Sequence, residues 1–306
     1  IDYRHFERFG WFAYGGGIVL LVLVFLLGRS IRGSTRWIPI GSFSLQPSEL
    51  MKVALIVALA KFLHDDTKTD GRALKDLIIP GMILAIPMGL ILAQPDLGTA
   101  LMCAFIFGTV MVLTQLKLRS LFTLIAVFAA SAPLAYNYAL RGYQMTRLTA
   151  CLALWSREQD IPGAGWLTHQ SLVSIGSGGF WGQGYMQGTQ NQFGFLPDRH
   201  SDFPFAVWAE EQGLLGTTLL VGLYMFLVLW GLRIASQAKD RFGAVCAVGV
   251  SALIFWQSVI NLGMVSGMLP VVGITLPLFS HGGSSVLTVS ICIGLLMNVS
   301  MRRFQY

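Results

Sequence analysis

Residues 203–232 form a long apolar run, FPFAVWAEEQGLLGTTLLVGLYMFLVLWGL. Only two of its 30 residues, Glu210 and Glu211, are charged. A helix that spans a bilayer needs about 20 consecutive, mostly apolar residues. The stretch therefore predicts a transmembrane helix, and Pro204 suits its first turn. The two glutamates are predicted to lie roughly two turns, or about 12 Å, beyond the start of that helix.

The composition of the whole chain also indicates that it is surrounded by lipid. Of its 306 residues, 54% are hydrophobic and 12% are charged, whereas ordinary soluble domains are roughly 25% charged. So few charges could not cover the surface of a soluble protein of this size, so the chain is predicted to be an integral membrane protein. Its net charge of +6 suits anionic headgroups and phosphate-bearing ligands. No nucleic-acid partner is predicted, because the sequence has no basic stripe with interleaved aromatic residues and no such motif.

Several further apolar segments have the length of a membrane span. They are too long and too continuously apolar for the strands of a membrane barrel, and a lone segment in lipid must satisfy its own backbone polar groups as a helix. The fold class predicted is therefore an all-α polytopic membrane protein with eight transmembrane helices. The predicted spans are residues 11–28, 48–63, 76–93, 97–115, 119–139, 203–232, 242–268 and 284–301.

The distribution of lysine and arginine predicts how these spans are oriented. With eight spans both chain ends lie on one side, and 13 of the 21 Lys and Arg residues fall there. The positive-inside rule makes that side cytoplasmic. The outer side then carries residues 29–47, a long loop over 140–202, and residues 270–283. Nine glycines lie between Gly163 and Gly194, and this part of the loop is predicted not to form a regular helix. Either it brings backbone N–H groups close to a ligand, or it is an interfacial loop without one.

Asp202 stands at the outer start of the long apolar helix. Two interpretations are open. An aspartate there can cap the helix and complement its dipole, or it can act as a general base if its surroundings offset the stabilisation of its carboxylate by the helix terminus. His200 is a candidate to orient Asp202, or it is an ordinary polar loop residue.

Three other polar helix starts are predicted on the same outer face. In QPSELMK, residues 46–52, Glu49 and Lys52 are three positions apart and meet on one helix face, either as a structural ion pair or as part of a substrate groove. In QPDLGT, residues 94–99, Asp96 offers either a helix cap or a polar contact for a ligand. The fourth start is SHGGSS, residues 280–285, which begins with Ser280.

Glu210 and Glu211 need a polar environment. An ionised side chain deep in a span costs about 2.5–3.5 kcal/mol on insertion scales, so either this part of the helix lies outside lipid or the two carboxylates line a wet cavity. Arg36 and Arg147 can supply cations on the outer face, and arginine pairs well with phosphate oxygens. Acids, arginines and glycine-rich loops together favour an anionic, hydroxyl-rich headgroup such as that of a lipid-linked sugar phosphate.

Five stretches of the chain resemble the SEDS family of membrane proteins (shape, elongation, division and sporulation), and most closely its elongation glycosyltransferases. They are RWIPIGSFSLQPSELMK, AQPDLGTA, GAGWLTHQSLVSIGSGGFWGQGYMQGTQ, FLPDRHSDFPFAVWAEEQGLLG and NLGMVSGMLPVVGITLPLFSHGGSS. The family has about ten transmembrane helices, so the resemblance implies a single membrane domain over residues 1–306 that lacks two N-terminal helices. Two departures are TACLALWSREQDIP, in place of an LDP-like turn, and His281, in place of an aromatic residue.

The resemblance implies a peptidoglycan polymerase that acts at the outer face of the cytoplasmic membrane in cell elongation and rod shape. It would join lipid II units by inverting glycosyl transfer and release undecaprenyl pyrophosphate. Asp202 maps onto the essential aspartate as catalytic base, and Glu49 and Lys52 map onto a cavity pair. Asp96, Glu210 and Ser280 match motif positions.

The same resemblance implies what the chain works with. Its partner would be a class B penicillin-binding protein, a transpeptidase, and membrane lipid would surround the pair. The leaving pyrophosphate needs cationic stabilisation, for which the candidates are the arginines, Lys52, or a divalent ion (Mg²⁺ or Mn²⁺) held by Asp202. The alternative function is a lipid II flippase, which would place polar groups through the bilayer midplane. The ionisable residues concentrate instead at the outer helix ends, which favours the enzyme.

Overall fold

A computed structural model describes residues 3–31, 34–41, 43–66, 71–114, 116–117, 119–124, 126, 130, 142–156, 164–196 and 200–302. Most of them are helical. The helices are α1 (Tyr3–Leu27), α2 (Pro47–Asp65), α3 (Ile78–Ala93), α4 (Leu97–Leu113), α5 (Gly142–Ser156), α6 (Ala164–Ser177), α7 (Thr189–Gln192), α8 (Pro204–Ser236), α9 (Arg241–Val265) and α10 (Gly283–Arg302). A 3₁₀ turn, Leu74–Leu77, precedes α3.

The protein is a multi-pass membrane protein. In the described part of the chain, five stretches are long and apolar enough to cross a bilayer, namely Tyr3–Leu27, Leu74–Ala93, Pro204–Ser236, Arg241–Val265 and Gly283–Arg302. Helix α4 is apolar but shorter. The predicted span 48–63 is helix α2, which carries charged residues and is buried along most of its length. The predicted span 119–139 lies largely outside the described residues, so the number of eight spans stays a prediction.

A small sheet follows α1, and the all-α prediction did not include it. Its antiparallel strands are β1 (Arg29–Ile31), β2 (Ser34–Ile40) and β3 (Phe43–Leu45), in that order across the sheet. Strand β2 contains Thr35, Trp37 and Ile38, and β-branched and aromatic side chains favour strands. Gly41 adopts φ 62° after β2, a conformation that glycine accepts without steric cost.

The predicted outer loop 140–202 contains more regular structure than expected. Helices α5 and α6 lie within it, followed by the single turn α7. The expectation that the glycine-rich part forms no regular helix is wrong for α6. The reason is the spacing of the glycines: none occurs between Gly165 and Gly176, so the helix-weakening residues are concentrated after α6 rather than within it.

The contacts of the chain group it into two compact units. Unit 1 comprises residues 1–122, 226–256 and 283–306, and unit 2 comprises residues 123–225 and 257–282. In unit 1 the buried helix α2 forms the centre, with Leu55, Ile56 and Leu59 fully buried. Unit 2 has its own apolar cluster, which includes Leu196, Phe203, Phe205, Ala206, Met264, Val265, Val271 and Leu276. The single membrane domain expected for residues 1–306 stays a prediction.

Helix α8 is broken at Gly213, where φ is 64° and ψ is −161°. Beyond this break the N–H groups of Leu214 and Leu215 cannot reach the carbonyl groups four residues earlier. The glycine-rich segment after α6 replaces those bonds. The N–H groups of Gln183 and Gly184 donate to the carbonyl oxygens of Glu210 and Glu211, both at 3.0 Å.

The exchange is reciprocal. The N–H of Leu214 donates to the Gly179 carbonyl at 2.9 Å, and that of Leu215 donates to the Phe180 carbonyl at 3.3 Å. Four backbone groups at the break, two N–H groups and two carbonyl groups, are thus paired with the residue 179–184 segment, as buried backbone groups require.

Candidate active site

Asp202 lies just before helix α8, as the sequence predicted. The helix begins at Pro204, and the Phe203 carbonyl accepts from the N–H of Ala206 at 3.1 Å. Phe203 therefore holds the N-cap position, and Asp202 precedes it. Phe203 is 1% exposed and belongs to the apolar cluster of unit 2, whereas Asp202 is partly exposed. The buried phenylalanine thus anchors the backbone beside a carboxylate that solvent can reach.

The loop that follows α9 runs beside Asp202. Gly273 has φ 73°, and a β-carbon added there would lie 3.8 Å from Oδ2 of Asp202. The backbone of this loop therefore passes close to the carboxylate. Further along, the N–H of His281 donates to the His200 carbonyl at 2.7 Å. This hydrogen bond uses the backbone of His200, whose side chain is exposed. The role of His200 in orienting Asp202 stays a prediction.

Asn261 joins these two segments, and the sequence analysis missed it. Its side-chain nitrogen Nδ2 donates to the Asp202 carbonyl at 3.0 Å and to the Ile274 carbonyl at 2.6 Å. Asn261 is fully buried on α9. The signal that could have found it is a polar row on an apolar helix: Gln257 lies one turn before Asn261, and both amides project from the same face.

Ser280 and Arg147 brace the same loop from two sides. The Oγ of Ser280 accepts from the N–H of Leu276 at 2.7 Å and is buried, which closes the turn containing Leu278, at φ 60°. Nη1 of Arg147, on α5, donates to the Val271 carbonyl at 2.9 Å. Their predicted contacts with substrate stay predictions, but both residues already hold the backbone that passes Asp202.

Glu210 is fully buried in the first part of α8. Its Oε1 accepts from the N–H of Gln190 at 2.8 Å and from the Thr189 hydroxyl at 3.3 Å. The carboxylate therefore caps the turn at α7 and completes the attachment of the glycine-rich segment to α8. This contact supplies the polar environment that the sequence analysis required for Glu210, and contact with substrate stays a prediction.

A second group of predicted residues lies in unit 1. Nζ of Lys52 donates to Oε1 of Glu49 at 2.7 Å, and both side chains are almost fully buried, so the predicted meeting of this pair is confirmed. Glu49 Oε2 is buried, and no described residue hydrogen-bonds to it. The hydroxyl of the neighbouring Ser48 is likewise buried without such a partner in the described part of the chain.

Asp96 contacts several other polar groups in unit 1. It caps α4 by accepting from the N–H of Thr99 at 3.2 Å and from its hydroxyl at 2.9 Å, which confirms the predicted cap. Nη1 of Arg36 lies 3.5 Å from Oδ1 of Asp96, and the same guanidinium donates to the Pro95 carbonyl. Nε2 of Gln46 donates to Asp96 at 3.2 Å. Two of the predicted site residues, Arg36 and Asp96, are thus in direct contact.

Ser284, in the SHGGSS motif, ties the start of α10 to this group. Its hydroxyl accepts from the N–H of Gln46 at 2.9 Å and donates to the Ser44 carbonyl at 3.1 Å. The starts of α2, α4 and α10 are therefore linked through Gln46, which contacts both Ser284 and Asp96.

The described residues do not form a complete binding site for a divalent cation. Among the described residues, no cluster of three or more His, Cys, Asp or Glu side chains could enclose an ion. Mg²⁺ is commonly held by one or two carboxylates together with water and substrate phosphates. Asp202 fits such a partial site, because its carboxylate is partly exposed, and the role of an ion stays a prediction.

The helices and the two groups of polar side chains define a polytopic helical membrane protein with carboxylates at its helix starts. The chain matches the FtsW/RodA/SpoVE family, described as cell cycle proteins, over residues 1–305. It belongs to that family.

Named relatives and solved structures agree with this membership. The chain is 39% identical over 300 residues to the peptidoglycan glycosyltransferase MrdB of Escherichia coli K12, covering 98% of this chain and 80% of that protein. It is 33% identical over 373 residues to the peptidoglycan glycosyltransferase RodA of Treponema pallidum, covering 99% and 85%.

Two solved structures match the fold over the whole chain. A structure described as the coordination of polymerization and crosslinking by a peptidoglycan synthase complex matches with a TM-score of 0.82 at 31% identity, covering 100% of this chain and 84% of that chain. The rod shape determining protein RodA of Thermus thermophilus matches with a TM-score of 0.71 at 32% identity, covering 100% and 82%.

Proposed function

We propose that the protein is a peptidoglycan glycosyltransferase that polymerises lipid II during cell elongation. The relatives named above are peptidoglycan glycosyltransferases and cover nearly all of this chain. The observation that carries the proposal is Asp202: a partly exposed carboxylate on a backbone held by Asn261, beside a loop whose glycine leaves room next to it.

The proposed reaction is an inverting displacement. The 4-hydroxyl of the GlcNAc of one lipid II attacks C1 of the MurNAc of another. A new glycosidic C–O bond forms, the C1–O bond to the pyrophosphate breaks, and undecaprenyl pyrophosphate leaves with the bonding electrons. The proton of the attacking hydroxyl passes to the Asp202 carboxylate, which must come within about 2.6–3.2 Å of that oxygen in the bound state.

The leaving group gains negative charge and requires positively charged or donating groups. The alternative candidates among the side chains are Arg147, Arg36 or Lys52. Alternatively, Asp202 would hold a divalent cation, which would supply the positive charge.

The proposed setting is the cytoplasmic membrane, with both ends of the chain in the cytoplasm and Asp202 on the outer side. The proposed partner is a class B penicillin-binding protein. A solved complex of similar fold, described as joining polymerization to crosslinking, supports a transpeptidase in that role.

The test is polymerisation of lipid II by the purified protein, with and without the transpeptidase, resolved as glycan products on a gel. We expect polymer from the wild type and none from a well-folded Asp202→Asn variant, because an amide cannot accept the proton. Equal polymer from both would show that Asp202 is not the base. No polymer from the wild-type complex under any divalent ion would contradict the glycosyltransferase, and flipping of lipid II in vesicles would then test the transporter.

A further inference from the structure

We infer that Asn261 is the positioning residue for Asp202: its amide clamps the Asp202 backbone to the loop at Ile274 and so sets where the carboxylate stands. This inference rests on the proposed role of Asp202 as base. It concerns a residue near the end of the apolar helix α9 that touches no reacting atom.

The two hydrogen bonds define how the clamp works. Both hydrogen bonds go to carbonyl oxygens, which only accept. The amide nitrogen of Asn261 therefore faces them and donates one N–H to each. One carbonyl belongs to Asp202 itself, and the other belongs to the residue after Gly273. The amide therefore holds together the two backbone segments that approach each other at the Asp202 carboxylate.

The burial of Asn261 indicates that its donors are the reason for its presence. Asn261 is 0% exposed, and its Oδ1 has no hydrogen-bond partner among the described residues. A buried polar atom without a partner destabilises the folded protein, a cost that an apolar residue at this position would avoid. The two donated bonds offset that cost, and both end on the segments that flank the site.

Other contacts limit what Asn261 must do. Phe203 is anchored in the apolar cluster, and His200 is bonded through its carbonyl to His281. The chain on each side of Asp202 is therefore already fixed. What Asn261 adds is the orientation of the peptide unit of Asp202, and hence the direction in which its side chain leaves the backbone.

The decisive variant is Asn261→Leu, which keeps the branched shape of the side chain and removes both donors. We expect kcat to fall on the order of 100-fold, the scale expected from a displacement of about 1 Å at a reacting group, while KM for lipid II stays near its wild-type value. The acidic limb of the pH–rate profile, which reports the catalytic base, is expected to move, because the displaced carboxylate has new surroundings. Rates are normalised to the number of lipid II binding sites, so that loss of folded protein is not counted.

The matched control is Ser258→Ala on the same helix. Ser258 is 4% exposed, and its hydroxyl has no hydrogen-bond partner in the described part of the chain. This variant is expected to keep wild-type kcat and an unmoved acidic limb. If Asn261→Leu does not yield folded protein, Asn261→Ser replaces it, because a single hydroxyl can donate to at most one of the two carbonyls.

The outcomes separate this inference from the proposed function. A wild-type rate per binding site in the folded Asn261 variant overturns the inference. The inference also fails if the total rate falls only in proportion to the number of binding sites and the acidic limb of the pH–rate profile does not move. Asp202→Asn is measured in the same series. If that variant is fully active, the base assignment fails and the inference fails with it. If it is inactive while the Asn261 variant is normal, only the inference fails.

Discussion

At the scale of single residues, the pair Glu49 and Lys52 has the clearest energetic signature. The two ionised groups meet at 2.7 Å and are almost fully buried in unit 1. Burial of a single charge is costly, whereas a buried pair is often no more stable than two apolar residues of similar size. Single and double substitutions of this pair can therefore distinguish a structural role from a role in binding substrate.

Lys52→Met is expected to destabilise the protein by about 3–5 kcal/mol, because it leaves the Glu49 carboxylate buried without its cation. The double variant Glu49→Leu/Lys52→Met is expected to recover most of that loss, since no charge remains. Chemical unfolding in detergent, followed by tryptophan fluorescence, measures both.

The activity of the double variant then decides between the two interpretations of the pair. A stable double variant without polymerase activity supports contact with substrate. A stable and active one shows that the pair is structural. Wild-type stability in Lys52→Met alone would contradict the burial argument.

At the scale of elements, the break in α8 shows why the glycine-rich segment is glycine-rich. A β-carbon added to Gly178 would lie 2.1 Å from the carbonyl oxygen of Ala209, and one added to Gly182 would lie 2.1 Å from that of Glu211. A β-carbon added to Gly213 would lie 2.3 Å from the backbone nitrogen of Gly182. Two backbones thus approach each other more closely than any side chain allows. The hydrogen bonds across this contact replace those that α8 loses at Gly213.

Gly213→Ala is expected to destabilise the protein by more than about 1 kcal/mol, because φ 64° with ψ −161° is a backbone conformation that essentially only glycine adopts. The clash with Gly182 adds to that cost. Thermal unfolding of the detergent-solubilised protein measures it.

Gly222→Ala is the matched control for that prediction. Gly222 lies on the same helix, and an added β-carbon there meets nothing within 4 Å. Alanine is favoured over glycine inside a helix by roughly 0.5–1 kcal/mol, so this variant is expected to keep or raise the unfolding temperature. Equal effects of the two substitutions would contradict the interlock at Gly213.

At the scale of the whole molecule, the proposed orientation makes a prediction about sidedness. Trp181 precedes α8 and Lys239 follows it, and both side chains are exposed. If α8 crosses the bilayer, the two positions lie on opposite sides, with Trp181 outside.

Single cysteines at these two positions test the orientation in intact spheroplasts. A membrane-impermeant maleimide is expected to label the Trp181→Cys variant directly and the Lys239→Cys variant only after permeabilisation. The reverse pattern would contradict the orientation, and labelling of both in intact cells would contradict a crossing by α8.

The native cysteines interfere little with this measurement. Cys103, Cys246 and Cys292 are buried. Burial raises the pKa of the Cys151 thiol above its ordinary value, so less of it is thiolate at neutral pH and it reacts slowly with maleimide. Cys151→Ser is the background for both variants and removes what remains.

Features that depend on neighbours along the chain could be predicted from the sequence. Apolar runs determine spanning helices, because lipid leaves the backbone of a lone segment no other way to satisfy its hydrogen bonds. The Glu49–Lys52 pair and the Asp96–Thr99 cap were likewise predictable, since residues three apart meet on any helix or at its start.

Contacts between residues far apart in the sequence could not be predicted and became visible in the folded chain. Asn261 reaches Asp202 across 59 positions, and Glu210 reaches Gln190 across 20. Such contacts depend on which helix faces meet, and apolar faces look alike in sequence whether they meet lipid, protein or each other. Helix α6 was missed for a different reason: the prediction rested on the number of glycines over residues 163–194 and not on their spacing. The helices could be predicted because lipid requires them, whereas the position of each carboxylate depends on how the helices pack.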